Sequence, residues 1–108
     1  MANPEHVEIV KAGAEAILKT RESDSKILFD LYKADLSGAD LKGADLREAN
    51  LREADLSEAN LNEAWLLGTI FGKTDLSNAI LSNSHWGWTN IGNVNFTGVA
   101  GLADAIHL

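Results

Sequence analysis

Large apolar residues recur at every fifth position of the chain from Leu31 to Phe96. The residue two places before each of them is mostly alanine, with threonine or serine in the later blocks. Fourteen consecutive blocks of five residues run from Phe29 to Gly98 without a gap. Their central residues are Leu31, Leu36, Leu41, Leu46, Leu51, Leu56, Leu61, Leu66, Phe71, Leu76, Leu81, Trp86, Ile91 and Phe96. Such a fixed period is the sequence signature of a repeat architecture.

A period of five fits neither a regular helix nor a flat strand. On an α-helix, five steps of about 100° rotate successive apolar side chains by roughly 140°. On a flat strand, an odd spacing sends alternate side chains to opposite faces. The central residues can share one interior only if each block contains its own turn. The pattern therefore predicts an all-β solenoid, in which short extended segments joined by corners wind around one axis.

The blocks ADLSG at 34–38 and ADLRE at 44–48 show the pattern A(D/N)LXX, which resembles that of the pentapeptide-repeat family. Blocks of this kind cover residues 29–98. The resemblance implies a right-handed quadrilateral β-helix in which four blocks complete one coil, so that fourteen blocks make about three and a half coils. It also implies a non-enzymatic protein, and small members of the family are abundant in cyanobacteria.

Residues 1–28 are expected to form an N-terminal α-helical cap and a linker. Asn3 suits an N-cap, Pro4 suits the first helical position, and apolar residues recur at helical spacing from Val7 to Ile17. The pattern predicts a helix over residues 4–20 and a polar linker over 21–25. We expect this helix to cover the first coil, with Phe29 filling the gap beneath it. The alternative is an amphipathic helix that binds a partner.

Residues 99–108 leave the five-residue phase. Gly101 falls where a large apolar residue is expected, and Leu102, Ile106 and Leu108 are apolar. This tail either folds over its own open coil or packs against the same tail of a second chain. The resemblance favours the second arrangement, since related proteins form two-fold dimers through this end. We therefore predict a homodimer in which Leu102, Ile106 and Leu108 form the tail contact.

Several apolar residues stand at positions that should point outward. Trp65, Ile70 and Ile80 replace the usual Asp or Asn, and Leu67 and Trp88 are apolar at other outward positions. Clustered exposed apolar side chains, aromatic ones above all, are typical of interaction sites. The sequence therefore predicts an interaction surface formed by Trp65, Leu67, Ile70 and Trp88. The alternative is that the tail or the helix folds over them.

Trp86 is the largest residue at any central position, in one column with Leu46 and Leu66. It either fills a widening C-terminal coil or marks a local distortion of that coil.

The net charge of −7 argues against direct binding to nucleic acid and to anionic membranes. Stacking four blocks per coil places Asp35, Asp55 and Asp75 in one column, about 5 Å apart. One interpretation is an acidic DNA mimic, because some longer family members occupy the DNA site of type II topoisomerases. The other is an ordinary solvated surface. Three and a half coils are only about 17 Å tall, which disfavours mimicry of a duplex.

No catalytic, cofactor-binding or metal-binding motif is recognisable. His6, His85 and His107 are dispersed, cysteine is absent, and His85 is interpreted as a surface polar residue. A column of aspartates does not converge as a calcium site requires. Neither a signal peptide nor an apolar run of about 20 residues is present, so a cytoplasmic protein is expected. The sequence predicts a non-enzymatic structural or protein–protein interaction module with an unidentified protein partner.

Overall fold

The computed structural model describes residues 2–107, with only the backbone of residues 106 and 107. It contains helix α1 at Pro4–Lys11, helix α2 at Ala14–Ser23, strand β1 at His85–Trp86, a 3₁₀ helix at Leu102–Asp104 and strand β2 at Ile106–His107. Leu108, one of the three predicted tail residues, lies outside the described residues.

Residues 30–100 form stacked coils of twenty residues. Single-residue parallel bridges join residues twenty apart, for example Asp35 to Asp55 and Asp55 to Asp75. Twenty residues are four blocks, so each block forms one side of a coil. The bridges stay isolated because every block bends directly after its short extended segment, which leaves little continuous strand.

A tight turn closes almost every block. In the block of Leu41, the amide of Ala44 donates to the Leu41 carbonyl at 3.0 Å. The third residue of each turn has a φ between 56° and 71°, as a type II turn requires. Glu48, Glu53, Glu58 and Glu63 adopt this conformation without being glycine. A left-handed backbone costs such a residue about 1–2 kcal/mol, so the stacking of the coils imposes these corners against local preference.

The interior contains the central residues and most of the small residues that precede them. Every central residue from Leu31 to Leu81 is buried. Thr69 and Thr74, which replace alanine, are also buried, and their hydroxyls donate to the carbonyls of Leu46 and Leu51 at 2.8 and 2.6 Å. These bonds satisfy the polar atoms that the two substitutions introduce into the core.

The prediction that all fourteen central residues share one dry interior is wrong for the last two. Ile91 is 48% exposed and Phe96 is half-buried. No coil stacks beyond them in the described chain, so nothing covers their outer side.

Trp86 lies within the core and is 4% exposed. Its ring stacks on Phe71 with centroids 5.1 Å apart, and its Nε1 donates to the Ser84 hydroxyl at 2.7 Å. The turn from Trp86 to Thr89 lacks the hydrogen bond that closes the other blocks. Both sequence-based interpretations are therefore realised, because Trp86 fills the coil and the corner beside it opens.

The single helix predicted over residues 4–20 is wrong. Gly13 has a φ of 102°, outside the helical region, and it separates α1 from α2. The N-cap prediction is confirmed, because the Asn3 side chain accepts hydrogen bonds from the amides of Glu5 and His6. Arg21, assigned to a linker from the sequence, lies in α2.

The two helices contact the backbone of the first coil. The Asn3 amide donates to the Asp30 carbonyl at 3.1 Å, and the Asp30 amide donates to His6 Nδ1 at 3.0 Å. On another side, Arg21 donates to the carbonyls of Asp45 and Arg47 at 2.9 and 3.0 Å. These groups would otherwise lack partners, because no coil precedes them.

Phe29 is fully buried beneath the helices. The guanidinium of Arg21 lies 5.2 Å from the centre of its ring, and the imidazole of His6 meets the ring edge-on at 5.4 Å. The large residue at this first position therefore fills the space between the helices and the coil, as expected.

The C-terminal tail continues the wall of the solenoid with one extra residue. Ile80 pairs with Ala100, twenty residues later, but His85 pairs with Ile106, twenty-one residues later. Gly101 absorbs the shift with a φ of 78°, and a Cβ there would lie 2.7 Å from Ser82 Cα.

At the C-terminal end, β2 of the tail pairs with β1 and Ala105 packs against the core, so the choice between a tail that covers its own coil and one that contacts a second chain stays a prediction. A cavity of about 220 Å³ remains at that end, lined by Trp86, Ile91, Phe96, Leu102 and Ala105. Leu102 is 46% exposed at its rim.

Candidate interaction surface

Three of the four predicted surface residues lie on one side of the coils. The bridges from Asp45 to Trp65 and from Trp65 to His85 define this side. Trp88 is 93% exposed, Trp65 is 40% exposed, and Leu67 is half-buried. We call the outward side chains of residues 45–48, 65–68 and 85–88 the aromatic face.

Ile70 does not belong to the aromatic face. It pairs with Asn50 and Asn90 on the next side of the coil, and its side chain is half-buried. The structure therefore brings Trp65, Leu67 and Trp88 to one side and leaves Ile70 around the corner.

Trp65 is held by a stack on His85. The two rings are nearly parallel, at 5°, with centroids 3.8 Å apart. The sequence places both residues in one column, one coil apart, but interpreting His85 as a simple surface residue missed this contact. The contact could have been predicted from the column that Trp65 and His85 share, because planar side chains one coil apart are within stacking distance.

The other side of Trp65 borders a groove of about 500 Å³ between α2 and the coil wall. Leu18 of α2, which is 54% exposed, lines the groove together with Glu15, Asp45 and Arg47. Sequence reasoning assigned Leu18 to the predicted cap and did not place it beside Trp65. Helix α2 thus flanks the tryptophan without covering it.

Asp45 at the base of this groove is already paired. Arg47 donates to its two carboxylate oxygens at 2.8 and 2.7 Å, and Arg21 Nε lies 3.6 Å from Oδ2. Burial alone would raise the pKa of Asp45, but the hydrogen bonds from Arg47 and the charges of both arginines lower it. The hydrogen bonds to Asp45, and then its opposite charge, in turn raise the pKa of Arg47. The carboxylate of the groove that remains available to a ligand is therefore Glu15 of α2.

Trp88 combines full exposure with a strained backbone. Its φ of 56° lies in the left-handed region, where a bulky residue is an outlier. The side chain gains almost no burial in return. In the same column, Gly68 lies one coil away from Trp88 and Glu48 two coils away, with the Glu48 Cγ 3.1 Å from the position of an added Cβ at Gly68. The same left-handed φ occurs at the corresponding corner of every block, so the repeat imposes it, and the exposed indole is what distinguishes Trp88.

The acidic column on the opposite side is organised by its own turns. The Asp35 and Asp55 carboxylates each accept hydrogen bonds from the amide and the hydroxyl of the serine two residues later. The side-chain hydrogen bond from Ser77 is the main cause that lowers the pKa of Asp75, and Ser37 does the same for Asp35. Each carboxylate therefore points toward the serine of its own block, and the carboxylates of the column do not converge on one cation.

These pKa values predict a loss of stability in acid. The pKa values of Asp35, Asp45 and Asp75 are all below the ordinary value of 3.8 in the folded protein. The folded state then binds fewer protons than the unfolded state, so the stabilisation is present above about pH 4 and is lost as the pH falls through the folded values. Thermal denaturation from pH 7 to pH 3 in 0.15 M salt should show a constant melting temperature that drops below about pH 4. A melting temperature that stays constant to pH 3 would contradict this account.

Among the side chains of residues 2–105, no group of three or more histidine, aspartate or glutamate residues is arranged to hold a metal ion. No helix in that part of the chain is long and apolar enough to cross a membrane.

Residues 30–68 match the family model for pentapeptide repeats, with eight copies of the repeat. A pentapeptide repeat protein from the cyanobacterium Cyanothece 51142 is 26% identical over 71% of this chain and 56% of its own, with a TM-score of 0.58. HetL, a pentapeptide repeat protein involved in heterocyst differentiation regulation in Nostoc sp. strain PCC 7120, is 27% identical over 70% of this chain and 44% of its own, with a TM-score of 0.34. A pentapeptide repeat protein from the Arabidopsis thaliana thylakoid lumen is 32% identical over 64% and 52%, with a TM-score of 0.32.

The chain therefore spans about half the length of these three proteins, between 44% and 56%. None of the curated proteins compared with it matches. Pentapeptide repeat proteins form right-handed quadrilateral β-helices. The pairing of residues twenty apart in this chain agrees with that architecture.

Proposed function

Because this chain is a pentapeptide-repeat protein, we propose that it is a non-enzymatic protein–protein interaction module. The family commonly supplies structural or interaction modules and is generally non-catalytic. The observation that carries the proposal is the pair of exposed tryptophans on one side of a repetitive coil, Trp65 at 40% and Trp88 at 93%. Tryptophan is among the residues most enriched at binding hot spots.

The proposed scaffold has about three and a half coils with α1 and α2 as an N-terminal cap. Four blocks per coil and fourteen blocks support the coil number. The hydrogen bonds from Asn3 and Arg21 to first-coil carbonyls support the capping role. The buried side chains Val10 of α1 and Ile17 of α2 add apolar contact to the same end. A solenoid whose end is covered in this way avoids edge-to-edge aggregation.

Crosslinking and pull-down from the native organism test the module directly. The variant Trp65→Asn with Trp88→Gly removes both aromatic anchors and restores residue types that the repeat already uses, as in Asn50 and Gly68. We expect the captured partner to be lost with this variant. Ile80→Asn is the matched control, because Ile80 is 41% exposed on a different side of the coil. Identical partners for the double variant and the native chain would contradict the proposal.

We propose in addition that two copies associate through their open C-terminal ends. The exposed side chains of Ile91 and Leu102 and the cavity lined by Trp86 and Phe96 support this contact. The N-terminal end carries the helices, so head-to-tail stacking into a filament is blocked. The contact that remains joins identical ends and closes as a two-fold dimer.

Sedimentation equilibrium of Ile91→Glu tests the dimer, because a carboxylate in an apolar contact is costly to bury. We expect the native chain to sediment as a dimer and this variant as a monomer. Ile80→Glu introduces the same charge at a similarly exposed position on the outer wall of the coil and should stay dimeric. A monomeric native chain, or equal masses for both variants, would contradict the dimer.

The charge density counts against an acidic DNA mimic. The longest dimension of the molecule is 34 Å. Duplex DNA of that length carries about 20 negative charges, whereas the chain carries a net charge of −7. Stoichiometric inhibition or protection of gyrase in a supercoiling assay would reverse this conclusion.

A further inference from the structure

We propose that the aromatic face and the adjoining groove bind an arginine-rich segment of a partner protein, with guanidinium groups on the indole faces of Trp65 and Trp88. The inference rests on the proposed function and adds the chemistry of the partner. It depends on three observations: the indole surfaces are uncovered, an exposed carboxylate lies beside the indole of Trp65, and the arginines of the chain nearby are already engaged.

The first observation is that each indole offers an aromatic surface to a ligand. Trp65 is stacked on His85 on one side only, and its other side borders the groove with Leu18. Trp88 is 93% exposed. In the described part of the chain, the cations that lie over aromatic rings are Arg21 on Phe29 and Lys33 on Tyr32. Neither tryptophan therefore has a cation of its own chain on its ring.

The second observation is a carboxylate beside the Trp65 ring. Glu15 lines the groove next to Trp65 and is exposed. Glu63, which is also exposed, lies in the adjoining pocket together with Lys11 and Lys42, which offset its charge. Glu15 is therefore the counter-charge for a cationic ligand, in a chain whose net charge is −7.

The third observation is that the local arginines cannot supply the missing cations. Arg47 is held by both oxygens of Asp45, and Arg21 is held by two backbone carbonyls. Lys19 lies 3.7 Å from Glu15, but this pair is highly exposed and contributes little. The negative charge of Glu15 is thus only weakly compensated, and an incoming guanidinium would replace its weak ion pair with Lys19.

Arginine fits these surfaces better than lysine. A planar guanidinium stacks on an aromatic ring and donates to a carboxylate in the same plane. The two tryptophans lie on successive coils, so two cations on one flexible backbone match the face better than a single small amine. A protein segment with several arginines has this form, whereas nucleic acid is repelled by the negative charge.

The test uses the full chain and fluorescently labelled ten-residue peptides of alternating arginine and glycine, measured by anisotropy at 50 mM and 150 mM salt. We expect the arginine peptide to bind and its citrulline counterpart, which is neutral and of similar shape, not to bind. Trp65→Asn and Trp88→Gly should each weaken binding roughly 3- to 30-fold. Trp88→Gly should not lower the melting temperature, since glycine suits that backbone.

Glu15→Gln and Glu58→Gln separate specific binding from general attraction. Both remove one negative charge, but Glu58 lies at a corner of the opposite side, beside Asp55. We expect Glu15→Gln to weaken binding several-fold and Glu58→Gln to leave it within about twofold. Equal effects of the two variants, no effect of the tryptophan variants, or no binding at 50 mM salt would each overturn the inference. If the pull-down still depends on the tryptophans in that case, the proposed interaction module is supported and only the proposal of an arginine-rich partner is wrong.

Discussion

Replacing Leu56 by alanine is expected to lower the free energy of unfolding by about 3 kcal/mol, within the range of 2–5 kcal/mol for buried leucines. Leu56 is fully buried, and the coils on either side place Leu36 and Leu76 in the same column. The coils are fixed by backbone bridges to a common spacing, so they cannot collapse into the space that the lost methyl groups leave. The cavity should therefore persist, and the loss should be near its full value.

Ile91→Ala provides the matched control, because it changes the same position of the block where the side chain is 48% exposed. We expect a loss of about 1 kcal/mol there. Urea denaturation of both variants, at protein concentrations low enough to keep the chain monomeric, measures the difference. Equal losses at Leu56 and Ile91 would mean that the central residues do not share one interior.

Replacing Arg21 by alanine is expected to destabilise the protein by about 2–3 kcal/mol. The variant leaves the carbonyls of Asp45 and Arg47 without their donors at 2.9 and 3.0 Å. Hydrogen bonds to a charged group contribute about 1.5–3 kcal/mol each, and partial exposure of Arg21 reduces the sum. The variant also removes the cation above the Phe29 ring. Denaturation in urea measures the loss.

Two further variants show what Arg21 contributes. Arg21→Lys should recover only part of the stability, because an ammonium group lacks the planar fork that reaches two carbonyls. Lys19→Ala, on the same helix, should change the stability by less than about 0.5 kcal/mol, since its pair with Glu15 is highly exposed. If Arg21→Ala costs no more than Lys19→Ala, the contact between α2 and the first coil does not stabilise the fold.

The repeat could be predicted from the sequence because its period is dictated by geometry. A large residue every fifth position can face one interior only if each block turns, and Leu41, Leu51 and Leu61 are all fully buried as that argument requires. The number of sides and the hand of the coil do not follow from the period alone; they came from the family resemblance.

Most details that escaped prediction depend on contacts between distant residues. The break at Gly13 lies inside a helical pattern that continues on both sides of it, and the glycine was its local signal. The contact of Arg21 with Asp45 spans twenty-four residues and depends on how α2 lies on the coil. The exposure of Ile91 follows from the end of the stack, which no local pattern encodes. The uncovered tryptophans were predicted, since apolar residues at outward positions violate the repeat.

The two ends of the solenoid differ in stability, because helices contact the first coil and no further coil stacks on the last one in the described chain. Each coil of a solenoid interacts only with its neighbours, so unfolding proceeds by fraying from whichever end is held less firmly. In the monomer, the last coil is therefore the end held less firmly, and opening should begin among residues 90–107. His85 and Trp88 lie in the last complete coil, beside β2. A ligand bound to the aromatic face would slow unfolding from this end. The lifetime of the folded chain should therefore increase with the fraction of chains that have the ligand bound.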